Sequence, residues 1–344
     1  MFEAPDEVVQ WHGAMQAQDY GPAKWSIGQR ATGVVEEDLD KALADGSIIR
    51  THALRPTWHF VARSDLRWVL ALTGPRVQRR NRSRYRELGL DGRTIARCER
   101  TISSALDGGR LTRKEIGDVL DGARIDRSEQ RLPYILMHCE LEAIICSGGL
   151  TGKQHTYALV DDQVPIELGF DRDRALVELT RRYLTSHGPA TIKDLRWWSS
   201  LTVSDIKGAL NALGSEVRSE EIDGLTLWSM ASEPSGPDLE RGVHLLQTYD
   251  EIIVGYTESR FLGDPRAETA RAAWGDRTLP TGVVILNGSI GGRWRRSLAA
   301  RDSVIVAIVL YERAKPRDVA ALEDAADALG RFLGRKCELE VVAR

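Results

Sequence analysis

Thr191-Ile192-Lys193-Asp194-Leu195-Arg196-Trp197-Trp198-Ser199-Ser200-Leu201-Thr202-Val203-Ser204-Asp205-Ile206-Lys207-Gly208-Ala209-Leu210-Asn211-Ala212-Leu213-Gly214 carries one helix-start signal twice. In Thr191-x-x-Asp194 and again in Thr202-x-x-Asp205, the hydroxyl can accept from the backbone N–H three residues on while the acid reaches back. Ser199-Ser200-Leu201 is the turn between the two helices, and Gly214 stops the second. Glu216 to Ile222 and Leu225 to Met230 then read as strands, joined at Asp223-Gly224, a pair that suits a tight hairpin. Upstream, Asp173 to Ser186 is a helix ended by Gly188-Pro189. A helix, a helix-turn-helix and a hairpin together predict a winged helix-turn-helix unit.

The same order is legible twice more toward the N-terminus. Val8 to Met15 reads as a helix with Val8, Trp11 and Met15 on one side. Val35 to Ala44 is a short acidic helix stopped near Gly46, and Ile48 to Val61 is a β-rich ribbon bent at Arg55-Pro56. The next helix starts at Asp65, capped by Ser64, and is expected to end at Gly74-Pro75. In the second pass, Ile95 to Leu106 is helical, Thr112-x-x-Glu115 opens another helix, and Ser128 to Ile145 forms a long one. Thr151 to Val160 follows as a hairpin. The glycines Gly148, Gly149 and Gly152 come after a helix and open onto a strand, the reverse of a phosphate-binding P-loop. Past Ser232-Glu233-Pro234-Ser235-Gly236-Pro237-Asp238, a linker by composition, the chain turns mostly to strands. Asn287-Gly288 marks a hairpin, Ser303 to Tyr311 is a buried strand, Pro316 opens an amphipathic helix ending near Gly334, and Cys337 to Val342 is the last strand. Glu258 to Pro280 reads as a long polar loop. The expected fold is α+β, with three tandem winged helix-turn-helix motifs (1–92, 93–170 and 171–232) and a C-terminal, mostly β domain (240–344).

Composition narrows the function classes. The 344 residues, 42% hydrophobic and 28% charged, suffice for two or three domains with a sizeable core. A net charge of -3 rules out a polycation, so a nucleic-acid surface has to be a local patch. Cys98, Cys139, Cys146 and Cys337 show no metal-ligand spacing and read as free thiols in a reducing compartment. The N-terminus lacks the pattern of a signal peptide, and no apolar run approaches about 18 residues. The expectation is a cytoplasmic monomer without metal or cofactor.

Between Arg76 and Arg100 stand nine arginines (Arg76, Arg79, Arg80, Arg82, Arg84, Arg86, Arg93, Arg97 and Arg100) against Glu87, Asp91 and Glu99, a local charge of +6. That asymmetry favours a phosphate-facing patch over a solvated face. The third would-be recognition helix, Val203 to Leu213, holds one lysine and one aspartate, and its wing adds Glu216, Glu220 and Glu221. A helix reading a major groove needs cationic or amide side chains at its tip, so this unit reads as scaffold.

Near the N-terminus, Met15-Gln16-Ala17-Gln18-Asp19-Tyr20 places two neutral amides two residues apart, just before Gly21-Pro22. On a helix they would diverge by about 200°. On an extended chain they share a face, and Gly21-Pro22 suits an exit from the helix. Two readings stand at this point: a pair of solvated amides, or a pair aimed into one space.

Taken together, Gln16-Ala17-Gln18-Asp19-Tyr20, Arg55-Pro56-Thr57-Trp58-His59, the Cys146 to Leu159 hairpin, Gly188-Pro189-Ala190-Thr191 with Trp197-Trp198, and Tyr249-Asp250-Glu251 with Gly255-Tyr256 resemble the AlkZ/YcaQ-like winged-helix DNA glycosylases over nearly the whole chain. The resemblance implies tandem winged helices with a C-terminal β domain, and excision of N7-alkylated purines from double-stranded DNA, in some members from interstrand crosslinks made by natural products. Gln16-Ala17-Gln18 matches the Gln-x-Gln motif of the AlkZ branch, though with a small middle residue. On this reading Gln16 and Gln18 are the catalytic pair. An N7-alkylpurine is cationic and already a good leaving group, so amides that orient a water and the deoxyribose are sufficient. Asp19 is either a helper or a turn-forming cap. Arg50, His52, Arg55 and His59 on the first hairpin, Arg76, Arg79 and Arg80, and Lys153 on the second hairpin are the expected DNA contacts. Trp58 reads as a core anchor, His59 equally as a satisfied buried histidine, and Trp197 and Trp198 as helix core. Tyr249-Asp250-Glu251 reads as a structural turn rather than a second acidic site. The competing reading is a non-enzymatic winged-helix DNA-binding protein, such as a regulator or lesion binder.

Overall fold

The first helix, α1 (Pro5–His12), stops at Gly13, whose φ of 76° lies in the region that favours glycine. The chain then runs extended through β1 (Met15–Gln16) and re-enters helix at α2 (Tyr20–Gly28). Gly21-Pro22, expected to lie beyond the helix exit, instead sits in the first turn of α2, where a proline sacrifices no hydrogen bond. The exit is at Gly13. After α3 (Glu36–Ala44) come β2 (Ile48–Ala53) and β3 (Thr57–Ala62), and the three strands form an antiparallel sheet in the order β1-β3-β2. The computed structural model describes residues 2–166, 169–232, 242–274, 282–300, 302–313 and 315–343. Of the expected linker it describes only Ser232, and residues 275–280 of the long polar segment also lie outside the described residues.

The following helix, α4 (Leu66–Glu87), does not end at Gly74-Pro75 as expected but continues through both. A Cβ on Gly74 would lie 2.5 Å from Leu141 O, so glycine permits a close crossing there. Pro75 forfeits one intrahelical hydrogen bond. Burial of Leu66, Val69, Leu70 and Val77 along the same helix holds it regardless. As a result, Arg76 to Arg86 lie on one continuous helix.

The second pass consists of α5 (Gly92–Leu106), β4 (Leu111–Thr112), α6 (Arg113–Gly122), α7 (Arg131–Leu141), β5 (Ile145–Thr151) and β6 (Gln154–Leu159). Its sheet order, β4-β6-β5, reproduces that of the first. The Thr112/Glu115 capping box is present, and α7 is shorter than the expected Ser128 to Ile145. A short α8 (Val160–Gln163) leads to α9 (Arg172–His187), α10 (Ile192–Ser199), α11 (Val203–Leu213), β7 (Val217–Ile222) and β8 (Leu225–Met230). Both Thr/Asp boxes form, and Ala190 bridges to Trp228 where the other units have a short strand. The same element order thus occurs three times.

The C-terminal region comprises β9 (Val243–Leu246), α12 (Glu251–Val254), α13 (Ala267–Trp274), β10 (Gly282–Leu286), β11 (Ser289–Ala300), β12 (Ser303–Leu310), α14 (Pro316–Leu333) and β13 (Lys336–Ala343). It is a five-stranded sheet, β13-β12-β11-β10-β9, antiparallel except for β12 and β13, which α14 connects in parallel. The expected long loop contains α13, and α14 buries Leu322, Ala326, Leu329 and Phe332.

The first unit is the hub. Leu54, Leu66 and Leu70 pack with Leu179, Tyr183 and Trp198 of the third unit in one core. Val9, Ile27 and Phe60 pack with Val306, Leu329 and Phe332 of the C-terminal region in another. The ring centroids of Trp25 and Phe332 are 5.2 Å apart. The second unit has its own core around Ile102, Leu120 and Ile135.

Candidate active site

Gln16 lies where these bodies meet. Its strand β1 pairs with β3 at Met15–Phe60 and Gln16–His59, and Ala17 N–H extends the pairing by donating to Trp58 O at 2.7 Å. The extended geometry follows from Gly13, which turns the chain out of α1 before the motif begins. Gln16 is 8% exposed, whereas Gln18 is exposed.

Three groups hold this segment. Arg55 Nη2 donates to Gln16 Oε1 at 2.6 Å. Because a guanidinium only donates, the amide must turn its oxygen to Arg55, and its NH2 takes the other side. Arg50 donates through Nε and Nη2 to Ala17 O at 3.1 and 3.0 Å while stacking over Trp58 at 4.1 Å. Glu251, at the start of α12, accepts Gln16 N–H on Oε1 at 2.6 Å. Its Oε2 accepts Trp198 Nε1–H at 2.9 Å and lies 3.3 Å from His187 Nε2. Gln18 Oε1 accepts Trp58 N–H at 3.4 Å. Each motif amide therefore has its oxygen turned to a protein donor.

Burial opposes the charge on Glu251, but His187, Arg55 and the Gln16 N–H outweigh it and bring its pKa down to about 2. Burial lowers Arg55, opposed by Glu251. His59 is fully buried, with Nδ1 2.9 Å from Thr57 O, and burial reinforced by Arg55 takes its pKa down to about 3. Burial likewise takes His12 to about 4. Next to Glu251, Asp250 is buried against Arg30 (2.7 Å) and Ser26 Oγ (2.7 Å). The Tyr249-Asp250-Glu251 stretch is thus a structural turn, as expected, but one that also clamps the motif. Neither the role of Glu251 nor that of His187 is signalled in the sequence around Gln16, since 235 residues separate Glu251 from it.

The expected DNA contacts divide into two sets. Arg50, His52, Arg55 and His59 are buried and have protein partners. His52 Nδ1 lies 2.5 Å from Glu140 Oε2, and its ring is 4.1 Å from Trp58. A buried guanidinium needs acceptors, which Ala17 O supplies to Arg50, and Gln16 Oε1 and Val254 O to Arg55. By contrast, Arg79, Arg80 and Lys153 are exposed and Arg76 is half-buried. Arg76 Nε donates to Ser200 O and Arg80 Nη1 to Ser200 Oγ, both at 3.3 Å. These contacts tie α4 to the turn after α10, the helix on which Trp197 lies with its ring 5.6 Å from Arg55. Lys153 sits at the tip of the second hairpin, and His155 from that tip contacts Tyr20 at 4.4 Å. Trp198 is core, as expected, while Trp197 is 46% exposed.

The family described as DNA glycosylase AlkZ-like matches residues 9–332 of this sequence. The chain belongs to that family and is a DNA glycosylase, a hydrolase of N-glycosidic bonds. A relative from Streptomyces sahachiroi, the interstrand DNA cross-link repair glycosylase, is 25% identical over 297 residues, 81% of this chain and 79% of that protein. The solved structure of Streptomyces sahachiroi DNA glycosylase AlkZ has the same fold, with a TM-score of 0.79 at 22% identity, covering 100% of this chain and 94% of that one.

Proposed function

We propose that this glycosylase excises N7-alkylated purines from duplex DNA, including bulky natural-product adducts and the interstrand crosslinks named for its relative, on a frame of three winged-helix units. Gln16 and Gln18 orient the attacking water and the deoxyribose. The observation that carries this reading is the double anchoring of Gln16, by Glu251 at its backbone and Arg55 at its amide oxygen.

An alkylated N7 makes the purine cationic, so the glycosidic bond breaks with the base leaving as a neutral molecule. Little acid catalysis is required. The remaining work is to place a water against C1′ as positive charge develops on the sugar. Gln16 Oε1 has a second lone pair to accept from that water, and its NH2 can donate to a sugar oxygen. An amide already fixed in orientation does this without reorganising. Arg76, Arg79, Arg80 and Lys153 supply the phosphate contacts. The protein acts as a monomer in the cytoplasm.

The test is single-turnover release of 7-methylguanine from a labelled duplex by wild type and by Gln16→Ala/Gln18→Ala. Abasic product from wild type and none from the double variant, at equal duplex affinity, is the expected result. Equal product from both overturns the amide-pair mechanism.

A further inference from the structure

Trp197 and Trp198 are consecutive on α10, so their side chains point about 100° apart. Trp198 goes into the core, where its Nε1–H donates to Glu251. Trp197 is 46% exposed, and yet its ring is fixed. Its Nε1–H donates to Val254 O at 3.1 Å, and Arg55 Nη1 donates to the same carbonyl at 3.3 Å. The Arg55 guanidinium lies 5.6 Å from the centre of the indole. Arg55 Nη2 meanwhile holds Gln16 Oε1 at 2.6 Å. One guanidinium thus separates an exposed aromatic ring from the Gln16 amide.

The polar edge of this indole is satisfied by Val254, so what the exposed part of the ring lacks is a partner for its apolar surface. Positive charge gathers around it. Burial lowers the pKa of Arg55, Glu251 opposes this, and Arg80 and Arg260 lower it further, so three guanidiniums share this end of the site. Arg80 Nη1 donates to Ser200 Oγ at 3.3 Å, three residues past Trp197, and Arg260 Nε donates to Tyr256 O at 3.1 Å. Both bond to neutral oxygens and keep their charge available. Glu251 is buried with both oxygens engaged.

Cations attract the phosphates of a nucleic-acid strand, and an aromatic face fixed among them takes a base by stacking. A cation already beside the ring weakens its attraction for a second one, such as an N7-alkylated purine. The partner selected is therefore a neutral base. We propose that Trp197 stacks on a neutral nucleobase uncovered next to the lesion and so holds the damaged strand with its sugar at Gln16. The inference rests on the DNA reading above, and its experiment uses DNA without a lesion base, so that the two fail separately.

A duplex carries a tetrahydrofuran abasic analogue, with the fluorescent base 2-aminopurine placed in turn opposite it and on either side. Saturated complexes with wild type, Trp197→Ala and Trp197→Phe are compared, and affinities are measured across a salt series. At one position the probe is quenched in the wild-type complex, brightens in the alanine variant and stays near the wild-type level in the phenylalanine variant. Trp197→Ala weakens binding by about five- to one-hundred-fold, the range for one stacked base, with the slope of log K against log salt unchanged because no charge is lost. Equal fluorescence in all three complexes at every position overturns the proposal. So does a phenylalanine variant as weak as the alanine variant, since the N–H that holds Val254, and not the ring face, would then be what matters. Failure of wild type to release 7-methylguanine, with these differences intact, overturns the reading of the lesion and leaves the stacking assignment in place.

Discussion

Glu251→Gln is the change that isolates the clamp on the segment that carries Gln16. The carboxylate accepts Gln16 N–H on one oxygen and Trp198 Nε1–H on the other. An amide of the same shape keeps only one acceptor oxygen, so its NH2 must face an N–H. Loss of a charge-assisted hydrogen bond costs roughly 1.5–3 kcal/mol, and leaving Arg55 without its nearby negative charge adds to that. An overall loss of about 3 kcal/mol is expected. For 344 residues, at about 2.1 cal/mol/K of unfolding entropy each, this lowers Tm by about 4 °C. The acid limb offers a second readout. Glu251 titrates at about 2 in the folded protein against an ordinary 4.5. Its contribution is therefore fully present above pH 4.5 and is lost as the pH falls toward 2. Burial also depresses His12 and His59, to about 4 and about 3, so their contributions shrink as the pH drops below 6.5. Glu251 raises both groups, so the two do not cancel: Glu251→Gln depresses them further and widens the difference as the pH drops below 6.5, before titration of Glu251 in wild type narrows it. Scanning calorimetry of wild type and variant from pH 7 to 3 should show a Tm gap that narrows below pH 4.5. A gap that stays constant over that range, or a Tm change under about 1 °C at pH 7, would refute the clamp. Single-turnover excision should slow by about tenfold or more, because a displaced Gln16 loses its alignment.

Two further perturbations probe the surroundings of the clamp. Arg30→Met leaves the buried Asp250 carboxylate without its ion pair, and breaking such a pair costs roughly 3–5 kcal/mol. Urea denaturation should show that loss, and an effect below about 1 kcal/mol would mean that Ser26 and the α12 backbone satisfy Asp250 unaided. On α4, Arg79→Gln with Arg82→Gln should reduce the salt slope of duplex binding by about 2 and leave melting unchanged, since both side chains are exposed. An unchanged slope would remove the α4 arginines from the DNA interface.

Much of the architecture was legible because its signals are local. The Thr/Asp boxes at 191 and 202, the Thr112 box, and the hairpin turns at Asp223-Gly224 and Asn287-Gly288 each act within a few residues, and each forms as expected. The crowding of arginines after Arg76 is likewise visible in the sequence, because charge density needs no partner to be counted. The fate of Gly74-Pro75 was not legible, since burial of α4 against the second and third units overrides a local stop. Nor was the inward turn of Arg50, His52, Arg55 and His59. In the sequence these look like polar residues of an exposed hairpin, and Ala17, Glu140, Gln16, Val254 and Thr57 supply the partners that let them be buried. The order of helices and strands, the turns between them and the amide pair all follow from signals a few residues long. That Glu251, 235 residues away, holds Gln16 follows from long-range packing, because a buried charge is tolerable only where the completed fold brings its donors together.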